Sequence, residues 1–220
     1  AEIPGNNVDD DGNGYVDDVY GFNFNADTGD PMDDHSHGTH VSGIAGAVGN
    51  NGVGVVGVNW RVRIMALKIF DASGMGNVTA DAVRAIDYAV ANGAQVSNHS
   101  WGGYGYSQAL YDTIAAAGAA GHLVVAAAGN DANNNDMMPA YPASYDLENV
   151  IAVAASDSSD NLADFSNYGT ATVDLAAPGV AILSTVPNGQ YAEYDGTSMA
   201  CPYVAGAAAL VLSSSPGLAV

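Results

Sequence analysis

Gly196-Thr197-Ser198-Met199-Ala200 leads into a run of small apolar residues, Val204 to Leu210, so a hydroxyl stands where a helix begins. The first-turn amide hydrogens there lack internal partners and carry the positive end of the helix dipole. They favour the negative charge of an acyl-transfer transition state. Taken alone, the same pattern is an ordinary Ser N-cap, and a base and an oxyanion donor elsewhere must decide. His35-Ser36-His37-Gly38-Thr39-His40 brings an imidazole to a helix start, and histidine suits a serine because its pKa lies near neutrality. His37 and His40 could also suggest a metal pair, but no HExxH glutamate follows and no third ligand is suitably spaced, which argues against zinc. Val124 to Asn130 is an apolar strand ending in a carboxamide that can aim its NH2 into the crevice where parallel sheets bind ligands. Asn98 to Gly103 ends in Gly-Gly, which leaves bare backbone for an extended peptide to pair with.

The elements that must position these groups alternate. Helical patterns run over 37–48, 78–91 and 108–120, and strands over 62–69, 94–98, 123–128 and 149–155. Shorter strands are expected near 173–175, 182–185 and 191–194, before the last helix. This order predicts an α/β chain with a mostly parallel sheet covered by helices on both faces. At 220 residues and 48% hydrophobic the chain can bury one substantial core, and residues 1–220 read as a single domain.

Together these segments resemble the subtilisin-like serine peptidases, the subtilases, across nearly the whole chain. The resemblance implies a three-layer subtilisin-like fold and a secreted endopeptidase acting on protein or peptide substrates. It makes Ser198 the nucleophile, His37 the general base and Asn130 the side-chain oxyanion donor, with His40 a structural neighbour. Ser100, Trp101 and Gly102 would pair with substrate backbone. Ala127, Ala128, Gly129 and the region of Ala140 would shape the pocket before the cleaved bond, where small residues point to large hydrophobic side chains. A lipase or esterase is disfavoured because Ser198 lies in GTSMA rather than GxSxG.

Three departures stand out. The family's orienting aspartate ends an apolar strand before the histidine, yet the one Asp-Thr-Gly string, Asp27-Thr28-Gly29, lies in a polar turn. Asp34 faces the same objection. The chain is therefore expected to lack the strand with this Asp, and to stop early after the Ser helix, so that activity is impaired. The alternative is a non-catalytic relative that binds peptide or calcium. Cys201 and Tyr203 stand where the family commonly has Ser or Thr and His; Cys201 is expected to be a small buried residue and Tyr203 to pack against the helix. His99 and His122 match no catalytic motif.

The net charge is -20, with 24 acidic residues against Arg61, Arg63, Lys68 and Arg84, so nucleic acid and anionic membranes are not expected partners. The single cysteine excludes an internal disulfide, and composition leaves the oligomeric state open. No run approaches the roughly 18 uninterrupted apolar residues of a membrane span. Nine aspartates fall before residue 35. Among them, Asp9, Asp11 and Asn13 by side chain, Tyr15 by carbonyl, and Asp17 or Asp18 beyond match the first half of a calcium loop; the terminal Glu is missing, since Tyr20 holds its place. Structural calcium is the expected cofactor. Gly49 to Val55 resembles a second calcium loop of the family.

Overall fold

Strand β4 (Leu123–Ala127) is apolar at every position because both of its faces are covered. In the computed structural model, which describes residues 2–215 and 217–218, it lies in a four-stranded parallel sheet of order β3-β4-β5-β6. Its neighbours are β3 (Val96–His99), β5 (Val150–Ser156) and β6 (Leu175–Pro178). The outermost positions of the expected domain, Ala1, Pro216, Ala219 and Val220, lie outside the described residues.

Side chains alternate across this sheet. Val124 points into a core with Ala82, Ala85 and Ile86 of α2 (Val78–Ala91) and Leu110, Ile114 and Ala117 of α3 (Gln108–Ala119). Val125 and Ala127 point the other way, against Ala200, Cys201 and Ala205 of α4 (Thr197–Ser214). Helix α1 (His37–Gly46) joins that second layer through Val41 and Ile44, which meet Met199 of α4. The result is the expected three layers. Helix α4 is long and apolar enough to cross a membrane by length and composition. Its apolarity has a simpler cause, because one side of it forms the core against β4 to β6.

Two small sheets flank this frame. β1 (Gly21–Asn23) pairs in parallel with β2 (Ala66–Lys68), and β7 (Ile182–Val186) with β8 (Gln190–Tyr194) as an antiparallel hairpin. The hairpin turns at Asn188-Gly189, both at positive φ, a backbone these two residue types accept most easily. β1 carries no expectation from the sequence, and β2 is shorter than the strand expected over 62–69. β2 pairs with β1 alone and β3 with β4 alone, so among the described residues each keeps one unpaired edge.

Beneath β3 lies a buried polar relay. Ser97 Oγ bonds the Nε2 atoms of both His99 and His122 at 2.8 Å, and His122 Nδ1 donates to the Ala94 carbonyl. Burial, with the neighbouring His122, pushes His99 down to about 3, so both rings serve as neutral packing groups.

Candidate functional site

Ser36 sits at φ 79°, a left-handed backbone that turns the chain into α1 and delivers His37 at its first position. The Asp33 carboxylate secures the turn by accepting from the amides of His35, Ser36 and Thr39 and from the Thr39 hydroxyl. Burial works against that charge, but these hydrogen bonds prevail and hold Asp33 below the usual carboxylate range. The His37 side chain is half-buried and, among the described residues, makes no hydrogen bond or ion pair. Burial, reinforced by His35, pulls its pKa below the ordinary imidazole value, and nearby Asp33 opposes that only in part.

His40 has a different task. Its Nε2 lies 3.0 Å from the carbonyls of both Ile182 and Ala192, so it carries the proton and donates to them, and its ring stacks on Tyr194 at 4.3 Å. The hydroxyls of Ser184 and Thr185 donate in return to the His40 and Thr39 carbonyls. These bonds pin α1 to the β7-β8 hairpin, and Gly43 lets them form because a Cβ there would strike both hydroxyls. His40 Nε2 is thus taken up by the hairpin, while its buried Nδ1 has no hydrogen-bond partner among the described residues.

At the opposite wall, β4 leads through Ala128 into Gly129-Asn130. Asn130 Oδ1 accepts from the Thr197 amide at 2.8 Å and from its hydroxyl at 2.9 Å, and Thr197 Oγ1 accepts from the Gly129 amide. With its oxygen held this way the carboxamide must turn Nδ2 outward. A methyl built on Gly196 would lie 3.6 Å from both Asn130 Nδ2 and the Ser198 amide nitrogen, so the two donors border one spot. Thr197 is fully buried and orients Asn130. Sequence reasoning gave it no role, although its place between Gly196 and Ser198 was a signal. Ser198 is half-buried at the head of α4, and its hydroxyl donates to the Ser100 carbonyl at 3.2 Å.

Ser198 and Asn130 open onto a cleft of about 270 Å³. Trp101, Gly102, Ala127, Ala128, Gly129 and Ala140 line it, and Ser100 is hydrogen-bonded to Ser198. The cleft also has a polar side that sequence reasoning missed. Tyr104 donates to Asp131 at 2.5 Å across its mouth, and buried Asn167 donates to the Ala128 carbonyl and accepts from the Asp131 amide. The two rims are tied by reciprocal backbone bonds between Gly103 and Tyr141.

Asp27 pairs with Arg84 on the surface and Asp34 with Lys68, so neither carboxylate bonds His37. Cys201 is fully buried, and desolvation pushes its thiol up to about 12, which makes it an inert packing group. Tyr203 is half-buried between the two cores that α4 faces.

In the acidic opening, oxygens of Glu2, Asp9 and Asp11 lie within 4.8 Å of one another. Of the other expected ligands, Asn13 donates from Nδ2 to Asp18, and Asp17, like Glu2 and Asp9, accepts backbone amides, here from Asn6 and Asn7. Asp18 is buried under the Tyr88 hydroxyl, and the Tyr15 ring packs edge-on against Phe22 and Tyr88. Glu2 escaped the sequence reading because it stands outside the alternating Asp9 to Asn13 register.

Residues 4–220 match the family model described as the subtilase family, Peptidase_S8. The chain is 47% identical to a thermophilic serine proteinase of Bacillus sp. (strain AK1) over 89% of its length, covering 47% of that protein. It is 45% identical to thermitase of Thermoactinomyces vulgaris over 89% of its length, covering 67% of that protein. The chain therefore spans between about half and two thirds of the length of these relatives. A crystal structure of a cold adapted subtilisin-like serine proteinase superimposes with a TM-score of 0.81 at 35% identity, covering 90% of this chain and 69% of that one.

Proposed function

The chain belongs to the subtilase family of serine peptidases, and from that premise we propose that it is an endopeptidase domain working through a Ser198 acyl-enzyme. The observation that carries this reading is the Thr197-locked carboxamide of Asn130 beside the Ser198 amide at the head of α4. Ser198 attacks the peptide carbonyl, His37 takes its proton, and Asn130 Nδ2 with the Ser198 amide holds the oxyanion. His37 then protonates the leaving amine, and water releases the acyl group. Substrate backbone lies along Ser100 to Gly102, and a large apolar side chain enters between Ala127, Ala128, Gly129 and Ala140.

The same geometry supports impaired turnover by these 220 residues alone, because His37 has no carboxylate partner among the described residues. It is also what favours the second reading, a peptide- or calcium-binding relative without turnover. Labelling with a fluorophosphonate, read by intact mass, separates the two. Stoichiometric modification that disappears in Ser198→Ala supports the peptidase; a chain that stays unlabelled while binding peptide supports the other reading.

Glu2, Asp9 and Asp11 are the proposed calcium ligands. Three carboxylates at this spacing repel one another unless a cation intervenes, and an all-oxygen set suits a hard divalent ion. Backbone amides already orient two of them: Glu2 accepts from Asp10, Asp11 and Asp17, and Asp9 from Gly12, Asn13 and Gly14. Calcium at a hundredfold excess over its Kd should stabilise the fold by about 2.7 kcal/mol, a rise of about 5–10 °C in Tm. Calorimetry with calcium and with a chelator checks this. An equal Tm in both, or an undiminished rise in Glu2→Gln/Asp9→Asn/Asp11→Asn, removes the site. Secretion is inferred from the family resemblance, and recovery of the protein only from the cell interior would oppose it.

A further inference from the structure

Pro202 stands in the interior of α4, five residues after its first position. A proline has no amide hydrogen to give the carbonyl four residues earlier, and its ring pushes that carbonyl aside. Here that carbonyl belongs to Ser198. The nucleophile's own carbonyl is thus deprived of its helical partner, and an unpaired carbonyl next to a packed core is costly.

Ser100 supplies the missing hydrogen. Its hydroxyl, on a residue only 8% exposed, donates to the Ser198 carbonyl at 2.8 Å, and Asn98 Nδ2 donates to that hydroxyl at 2.9 Å, fixing its direction. The Ser198 hydroxyl donates back to the Ser100 carbonyl. Residues 100 and 198 are therefore cross-linked in both directions, between the strand end that would receive substrate and the helix that carries the nucleophile.

We infer that Ser100 is a positioning residue: its side-chain hydroxyl takes over the hydrogen bond that Pro202 removes and so holds Ser198 in register with the Asn130 side chain. This rests on the assignment of Ser198 as nucleophile. It is separate from any backbone pairing by Ser100, which a side-chain substitution leaves in place.

A double-mutant cycle tests it. Ser100→Ala and Pro202→Ala, alone and combined, are compared for the rate of Ser198 labelling by a small fluorophosphonate that makes no strand contacts, and for Tm. Ser100→Ala should slow labelling by about tenfold in the presence of Pro202, the loss of one hydrogen bond's worth of positioning. With Pro202→Ala the helix regains its own donor to the Ser198 carbonyl, and the same substitution should cost less than about threefold. Ser100→Thr, which keeps the hydroxyl, should label within about threefold of the parent. The Tm cost of Ser100→Ala should shrink in the same way. Equal losses in both backgrounds, or a Ser100→Thr as slow as Ser100→Ala, would overturn the inference while leaving the peptidase reading intact. A parent that never labels removes the peptidase reading, and the Tm cycle then decides alone whether Ser100 stands in for the missing amide.

Discussion

Asn130→Leu should slow acylation of Ser198 by about two to three orders of magnitude, the range known for loss of a side-chain donor from the subtilisin oxyanion hole. The substitution keeps the bulk of the side chain and removes both ends of the carboxamide. At one end the developing oxyanion loses Nδ2. At the other, the Thr197 amide and hydroxyl lose the oxygen that accepts them. Single-turnover rates on a peptide ester, with binding measured separately, check the prediction. A fall in acylation with little change in substrate affinity is the expected signature, since the oxyanion exists only in the transition state. Thr197→Val sharpens it, because the variant keeps Nδ2 and the Thr197 amide and removes only the two hydrogen bonds of the Thr197 hydroxyl, to Asn130 and from the Gly129 amide, so its loss should be smaller. Rates within about threefold of the parent for Asn130→Leu would remove Asn130 from the oxyanion hole.

The second large effect concerns His37. Among the described residues no carboxylate bonds it: Asp33 is occupied by amides, Asp27 by Arg84 and Asp34 by Lys68. An imidazole with no partner for its far nitrogen has neither a fixed tautomer nor a counter-charge when it takes the proton. Removing such a carboxylate from established triads costs about four orders of magnitude. Among the described residues, β2 and β3 each keep one unpaired edge. Supplying an apolar segment that ends in Asp, in trans or fused ahead of the chain, should raise peptide anilide hydrolysis by about three to four orders of magnitude. The pH profile gives an independent sign. His37 acts as a base only when neutral, and its pKa now lies below the ordinary imidazole value through burial and His35. A neighbouring carboxylate favours the charged ring and raises that pKa, so the acid limb of the profile should move to higher pH as activity rises. Robust hydrolysis by the 220 residues alone, abolished by Ser198→Ala, would show that this carboxylate is not needed.

The site was legible wherever chemistry coincided with a local pattern. Ser198 became a candidate because a hydroxyl precedes a helical run, His37 because an imidazole opens one, and Asn130 because it follows an unbroken apolar strand. α2 was read end to end from an apolar face of Val83, Ile86, Ala89 and Val90; Ile86 and Ala89 are buried, but Val83 and Val90 are only half-buried, and Ala82 and Ala85 take the deeper places. β1 was invisible because three residues carry no period; Gly21 to Asn23 is a strand only because β2 pairs with it. Thr197, Tyr104, Asp131 and Asn167 lacked a signal for a related reason. Each acts across the cleft through a partner at least 27 residues away, and no spacing rule connects them.

The sequence by itself determined the family and the layer order, the first through three short motifs in their order along the chain and the second through the period of apolar residues within each element. Tertiary structure alone decided which groups are free to react. It fixed the Asn130 oxygen on Thr197, committed His40 Nε2 to the hairpin, drew Glu2 rather than Asp18 to Asp9 and Asp11, and gave the Ser198 carbonyl to Ser100. Those outcomes depend on competition for hydrogen-bond partners among residues far apart in the chain, and such competition is settled only when the chain has packed.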